Sequence, residues 1–163
     1  MVQNFELSNV IAFIENVDLI IAEGWMILMQ HPCIVDVMPQ VEERLIFAHL
    51  DLFEEQNEQT PSETEGRKAT FQMKLWIPVS LAKHVCEKFY GKEHTLDLEM
   101  ISESIGELLN IIAGNLMGIV NKNAALGMPV VEMDCSSVSG VNGVVRSYST
   151  PLGSFTFGIE HHR

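Results

Sequence analysis

Residues 95–123 read TLDLEMISESIGELLNIIAGNLMGIVNKN, a run whose apolar positions recur at helical spacing. At about 100° per residue, Leu98, Ile101, Ile105, Leu108, Leu109, Ile112, Leu116 and Ile119 share one broad face of a single long helix. Thr95 is placed to cap its start, and Asp97 and Glu99 follow in the first turn, where the helix dipole favours negative charge. The apolar face is the core side. Glu103, Glu107, Asn110, Gly114 and Asn121 fall on the opposite face, with Met100, Ile111 and Met117 beside them.

That second face supports two readings. One is a solvated polar stripe, the ordinary fate of Glu and Asn on a surface helix. The other is a protein-docking face with two working side chains, Glu107 and Asn110, one turn apart. Three features favour the second. Asn has no local reason to sit inside a helix. Gly114 costs about 1 kcal/mol there relative to Ala. No Lys or Arg precedes Lys122 on this stretch, so Glu103 and Glu107 have no partner one turn away.

Composition narrows the classes. At 163 residues, 47% hydrophobic and 20% charged, the chain is expected to form one globular domain, 1–163. Its formal net charge is -12, and no Lys or Arg occurs before Arg44, which argues against nucleic acid and anionic membranes as partners. The N-terminus lacks the positive region of a signal peptide, and no uninterrupted apolar run reaches the roughly 18 residues of a membrane span. A cytoplasmic protein without membrane insertion is the expectation. Cys33, Cys86 and Cys135 are widely spaced and read as buried thiols, no Cys-x-x-Cys or His-x-x-x-His pair marks a metal site, and His161-His162 read as a frayed tail.

In chain order, residues 5–29 form a second helical pattern, ended by Pro32. Its Glu6-Leu7-Ser8-Asn9 repeats the Glu-x-x-Asn spacing without the following Gly and reads as coincidence. Strands are expected at Ile34–Met38, Arg44–Phe53 and Ala69–Ile77. The second is apolar on both faces, as a central strand is. The third alternates, with Phe71, Met73, Leu75 and Ile77 inward and Thr70, Gln72, Lys74 and Trp76 outward. Glu54–Arg67 between them is a polar hairpin loop. Ser80 is placed to cap a helix over 81–90 that Gly91 ends. After the long helix come strands at Val130–Asp134, Val144–Ser149 and Ser154–Glu160, the last two joined by a tight turn at 151–153. The expected fold is α+β: two long antiparallel helices packed on a mostly antiparallel sheet of about six strands, in pseudo-twofold halves.

The run Glu107-x-x-Asn110-x-x-x-Gly114-Asn115 on a long amphipathic helix, followed by Pro129 and a short apolar strand, resembles the CheX-type members of the CheC/CheX/FliY chemotaxis phosphatase family. Length and element order agree, so the resemblance covers nearly the whole chain. Where the family usually carries Asp or Ser, four residues before the motif Glu, this chain has Glu103, flanked by Ser102 and Ser104.

The resemblance implies a phosphatase acting on the aspartyl phosphate of a CheY-like response regulator. Glu107 and Asn110 would be catalytic, and Glu103, Ile111, Gly114 and Met117 would meet the partner. The chain would hold no cofactor or metal of its own, since the partner supplies Mg²⁺ and a Lys. The sequence offers no paired nucleophile and base and no Gly-rich phosphate loop, so any active site must be completed by another molecule. A non-catalytic CheX-like or flagellar-switch-like interaction module is the alternative, favoured by Glu103. The resemblance further implies a homodimer, for which Thr70–Trp76 or the C-terminal hairpin would offer an edge and Trp76 an exposed aromatic to cover.

Overall fold

The computed structural model describes residues 7–36, 44–54, 69–120 and 124–162. Among the described residues, three helices lie on one antiparallel sheet of seven strands. The helices are α1 (Leu7–Met29), α2 (Val79–Tyr90) and α3 (Leu98–Val120). The strands are β1 (Ile34–Asp36), β2 (Leu45–Glu54), β3 (Ala69–Pro78), β4 (Ala124–Leu126), β5 (Val130–Cys135), β6 (Gly143–Thr150) and β7 (Gly153–His161). Along the sheet the order is β1-β6-β7-β3-β2, with β5 and β4 both pairing with the far side of β2. Every pairing is antiparallel. The pairings of the two halves correspond: β1 with β6 matches β5 with β2, and β2 with β3 matches β6 with β7. The helix α2 and the strand β4 have no counterpart.

The core lies between sheet and helices. Ile46, Ala48, Leu50 and Leu52 of β2 and Met73, Leu75 and Ile77 of β3 are buried on the inner face, as are Phe155, Phe157 and Ile159 of β7. Above them sit Val17, Ile21, Trp25 and Met29 of α1, Leu81, Ala82, Val85 and Cys86 of α2, and the apolar stripe of α3. The indole of Trp25 stacks on Phe155, which stacks on Tyr148, with ring centroids 4.7 and 5.1 Å apart. Tyr148 donates a hydrogen bond of 2.7 Å to Asp18, and Arg146 grips the same carboxylate with two N–H groups. This polar anchor fixes α1 over β6. Burial and the Asp18 contact together push the Tyr148 phenol far above its ordinary value. The thiol of Cys33 is pushed up to about 11 by burial.

Several sequence-based expectations need correction. Where about six strands are expected, seven are described, because Ala124–Leu126 adds a short one. Asp97, not Thr95, caps α3: its Oδ1 accepts from the Met100 N–H at 2.8 Å. The residue before α2 is Pro78, which makes no side-chain capping bond, and Ser80 lies inside the helix. Gly91 ends α2 as expected, at φ +88° with its N–H on the Glu87 carbonyl. His161 is not frayed. It is the last residue of β7 and packs edge-on against Phe71. Glu54 belongs to β2; residues 55–67 of the expected loop, Glu6, Asn121 and the side chain of Asn9 lie outside what the structure describes.

The largest correction concerns Trp76. It points to the face of the sheet away from the helices, as alternation requires, but is only 2% exposed. It stacks on Phe47, across the β2–β3 pair, and abuts Gly158, where a Cβ would sit 3.3 Å from the indole. Val141, from the segment between β5 and β6, covers the same spot. Lys74, two residues back, ties that segment down: its Nζ donates to the Gly140 carbonyl at 3.2 Å and to Glu160 at 2.5 Å. From Phe71 to Trp76, β3 is paired with β2 on one side and β7 on the other and offers no edge for a second copy; in the C-terminal hairpin β7 pairs with both β3 and β6, while β1 pairs with β6 only over Ser147–Ser149.

Two outcomes follow. Trp76→Ala removes a buried ring on each side of which other groups are packed, and should cost about 3–5 kcal/mol, read as a large fall in melting temperature. The Lys74 ammonium holds the Glu160 carboxyl below its ordinary value of 4.5. A depressed carboxylate contributes stability that is full above that value and is lost as pH falls through the folded-state value. The stability difference between wild type and Glu160→Gln, measured by thermal melts, should therefore be present at pH 7 and shrink below about pH 4.

Candidate functional site

Burial of Ile101, Ile105, Leu108, Leu109, Ile112, Ala113 and Leu116 sets the rotation of α3 about its axis. Glu103, Glu107 and Gly114 are consequently exposed. Asn110, Ile111 and Met117 stand on the shoulders of that face and are half-buried, Met117 against the core. Glu107 and Asn110 thus lie one turn apart on one side of the helix and both reach solvent, the Asn less fully than its place on the helical wheel predicts. A Cβ added at Gly114 or Gly118 would meet nothing within 4 Å, so the surface beyond the motif is open. Gly24 of α1 faces Asn115: a Cβ added there would sit 3.9 Å from the Asn115 Nδ2, which places α1 alongside this end of the motif. Gly106, buried on the other side of α3, receives the ring of Pro129, which sits at 3.5 Å from where a Cβ would be.

One neighbour of the site was not legible in the sequence. The Tyr90 hydroxyl, at the end of α2, donates a 2.7 Å hydrogen bond to Glu103 Oε2. Phe89, Tyr90, Glu103, Ser104 and Glu107 line a shallow open depression of about 360 Å³. Glu103 is thereby held by a group of its own chain, toward α2. Ser104 is buried and its hydroxyl donates back to the Met100 carbonyl at 2.8 Å, so it offers no free hydroxyl beside the motif. Nothing in the local sequence around Tyr90 marks this contact. It arises from the packing of α2 against α3.

Among the described residues, no group of three His, Cys, Asp or Glu side chains is placed to hold a metal ion. No described helix is long and apolar enough to cross a membrane.

No protein-family model and no curated protein matches the chain. Solved structures do. A CheX chemotaxis protein from Desulfovibrio desulfuricans superposes with a TM-score of 0.67 at 13% identity, covering 93% of this chain and 99% of that one. The fold is that of the CheX- and CheC-like chemotaxis proteins. A CheC-like protein from a Shewanella species superposes with a TM-score of 0.59 at 10% identity, covering 90% of this chain and 95% of that one. The middle domain of FliM from H. pylori shares the architecture more distantly, with a TM-score of 0.52 at 13% identity, covering 98% and 93% of the two chains. The CheX-like fold is thus shared at identities of 10–13%.

The contact between Tyr90 and Glu103 has a direct readout. Donating to a carboxylate favours the neutral phenol, so Tyr90 ionises above its ordinary value of 10. Glu103→Gln should bring that ionisation back toward 10, measured as phenolate absorbance in an alkaline titration. The chain has one other tyrosine, Tyr148, which is held higher still and does not overlap.

Proposed function

We propose that this protein is a phosphatase that removes the aspartyl phosphate of a CheY-like response regulator in chemotaxis signalling. What carries the reading is the placement of Glu107 and Asn110 one turn apart on the open face of α3, in a CheX-like fold. Each side chain has a physical task there. The Asn110 carboxamide both donates and accepts hydrogen bonds. Beside the partner's phosphoryl group it would orient a water for in-line attack, a positioning role of the kind a GTPase Gln performs. Glu107 would grip the partner's Lys through a charge-assisted contact and fix the docking register. The open surface at Gly114 would admit the partner's loops, with Ile111 and Met117 supplying apolar contact. The Mg²⁺ would sit in the partner's active site, and the chain's acidic surface suits a partner with exposed Lys or Arg.

A second reading has its own observation. Glu103 stands where the resemblance expects Asp or Ser, and it is engaged by Tyr90. The FliM middle domain has the same architecture. A non-catalytic interaction module that binds a signalling partner would be built the same way. A homodimer belongs to the proposal too, through the edge of β5 with which no described strand pairs, where Val130 is exposed beside the exposed Met128. A monomeric mass by light scattering would count against it.

The deciding experiment measures phosphoryl loss from phosphorylated receiver domains with and without this protein. Asn110→Ala should abolish the acceleration while leaving regulator affinity largely intact, because water positioning acts mainly in the transition state. Wild-type turnover in that variant would leave only the binding module. Glu107→Ala should weaken binding as well as turnover. That loss should soften as salt rises, since a rim ion pair is screened within about 10 Å at 0.1 M. Neither change should alter stability by more than about 0.5 kcal/mol for the exposed Glu107, or somewhat more for the half-buried Asn110.

A further inference from the structure

A second concave site lies on a different face of α2 and shares no residue with the depression at Glu107. The end of α1, the last turn of α2 and the β6–β7 turn enclose a cleft of about 430 Å³, within the range of small-molecule sites. Met29 and Leu152 give it an apolar wall. Lys88 and Lys92 give it a cationic one, with the rings of His31 and His84 beside them.

Two observations set this cleft apart. The first is the His31 ring, whose Nδ1 and Nε2 are both shut off from solvent and have no hydrogen-bond partner. A buried polar group left unpaired costs on the order of 1–3 kcal/mol, so both atoms gain from a ligand able to accept or donate. The second is the distribution of charge. Among the described residues, Arg44, Lys74 and Arg146 are each paired with a carboxylate. The lysines that form no ion pair are Lys83, Lys88 and Lys92, all on α2 or just beyond it, and two of them line the cleft. On a chain of net charge -12, this is a local reversal of sign. The carboxylate in the cleft, Glu87, faces the His84 ring at 3.3 Å. A lysine in the last turn of a helix also complements the helix dipole, and that accounts for Lys88. It does not account for Lys92, beyond the helix end, or for the unpaired ring of His31.

We infer that this cleft binds a small organic anion, a phosphate or carboxylate group carried on an apolar or aromatic body. Lys88 and Lys92 meet the anionic group, His84 supplies a hydrogen bond to it, the His31 ring turns to offer it one of its unpaired nitrogens, and the body lies against Met29 and Leu152. The inference is independent of the phosphatase reading, since no residue of the Glu107 face takes part.

The test uses the full chain and three probes: phenyl phosphate, inorganic phosphate and phenol. Binding is followed by NMR through the imidazole resonances of His31 and His84 and by the melting temperature. Phenyl phosphate should shift both imidazoles saturably and raise the melting temperature. Inorganic phosphate should shift the same resonances more weakly, and phenol should leave them unmoved. The double variant Lys88→Gln/Lys92→Gln, altered only at exposed positions, should fold normally and bind phenyl phosphate at least about tenfold more weakly, as loss of charge-assisted contacts requires. The inference is overturned if neither imidazole responds at millimolar phenyl phosphate, if phenol acts as strongly, or if the double variant binds as the wild type does.

Discussion

The rotational setting of α3 is the constraint on which the other features depend. Seven apolar side chains of this helix, from Ile101 to Leu116, are essentially fully buried against the sheet and the neighbouring helices. Each large apolar one contributes about 1.5–3 kcal/mol through removal from water. Rotating the helix by a single residue would turn several of them outward and carry Glu103 or Glu107 toward the core, where an unpaired carboxylate is far more costly. The positions of Glu107, Asn110 and Gly114 are therefore not adjustable independently of the core. A rigid element holds them, and a site that must meet a second protein at fixed geometry is better carried on a helix than on a loop.

The same logic explains which parts of the molecule could be read from the sequence. Periodicity reports burial, so the long helices, the central position of β2 and the inward set of β3 were legible. So was the exposure of Glu107 and Gly114. Alternation correctly placed Trp76 on the outer face of the sheet but could not show that the face is covered, because the cover comes from Gly140 and Val141, far along the chain. Both helix caps were misplaced by two residues: Thr95 and Asp97 are locally equivalent candidates, and Ser80 has the capping side chain although α2 starts directly after Pro78. The strand β4 is three residues long and has no period to detect. The anchor between Asp18 and Arg146 joins residues 128 positions apart and leaves no local trace.

For the candidate site, the residues that point away from the core were legible and the residues that flank them from other elements were not. Asn110 is half-buried because it sits at the shoulder of α3, a distinction finer than an ideal wheel makes. Tyr90 enters the site because α2 crosses close to α3, and its hydroxyl redirects Glu103. The position that departs from the family pattern is thus also the one tied to another helix. Tyr90 and Glu103 are the pair through which α2 shapes this face of α3.

The covered outer face has a practical consequence. The chain's two tryptophans lie on opposite sides of one sheet: Trp25 in the helical layer, stacked on Phe155, and Trp76 under the segment that Lys74 ties down. Both are almost wholly shielded. Intrinsic fluorescence is therefore a two-channel reporter. A red shift confined to a Trp25→Phe background reads the outer cover lifting away, and one confined to a Trp76→Phe background reads the helices leaving the sheet. Agreement of the two in a denaturant titration would mark unfolding as a single cooperative event, and their separation would show that the cover opens first.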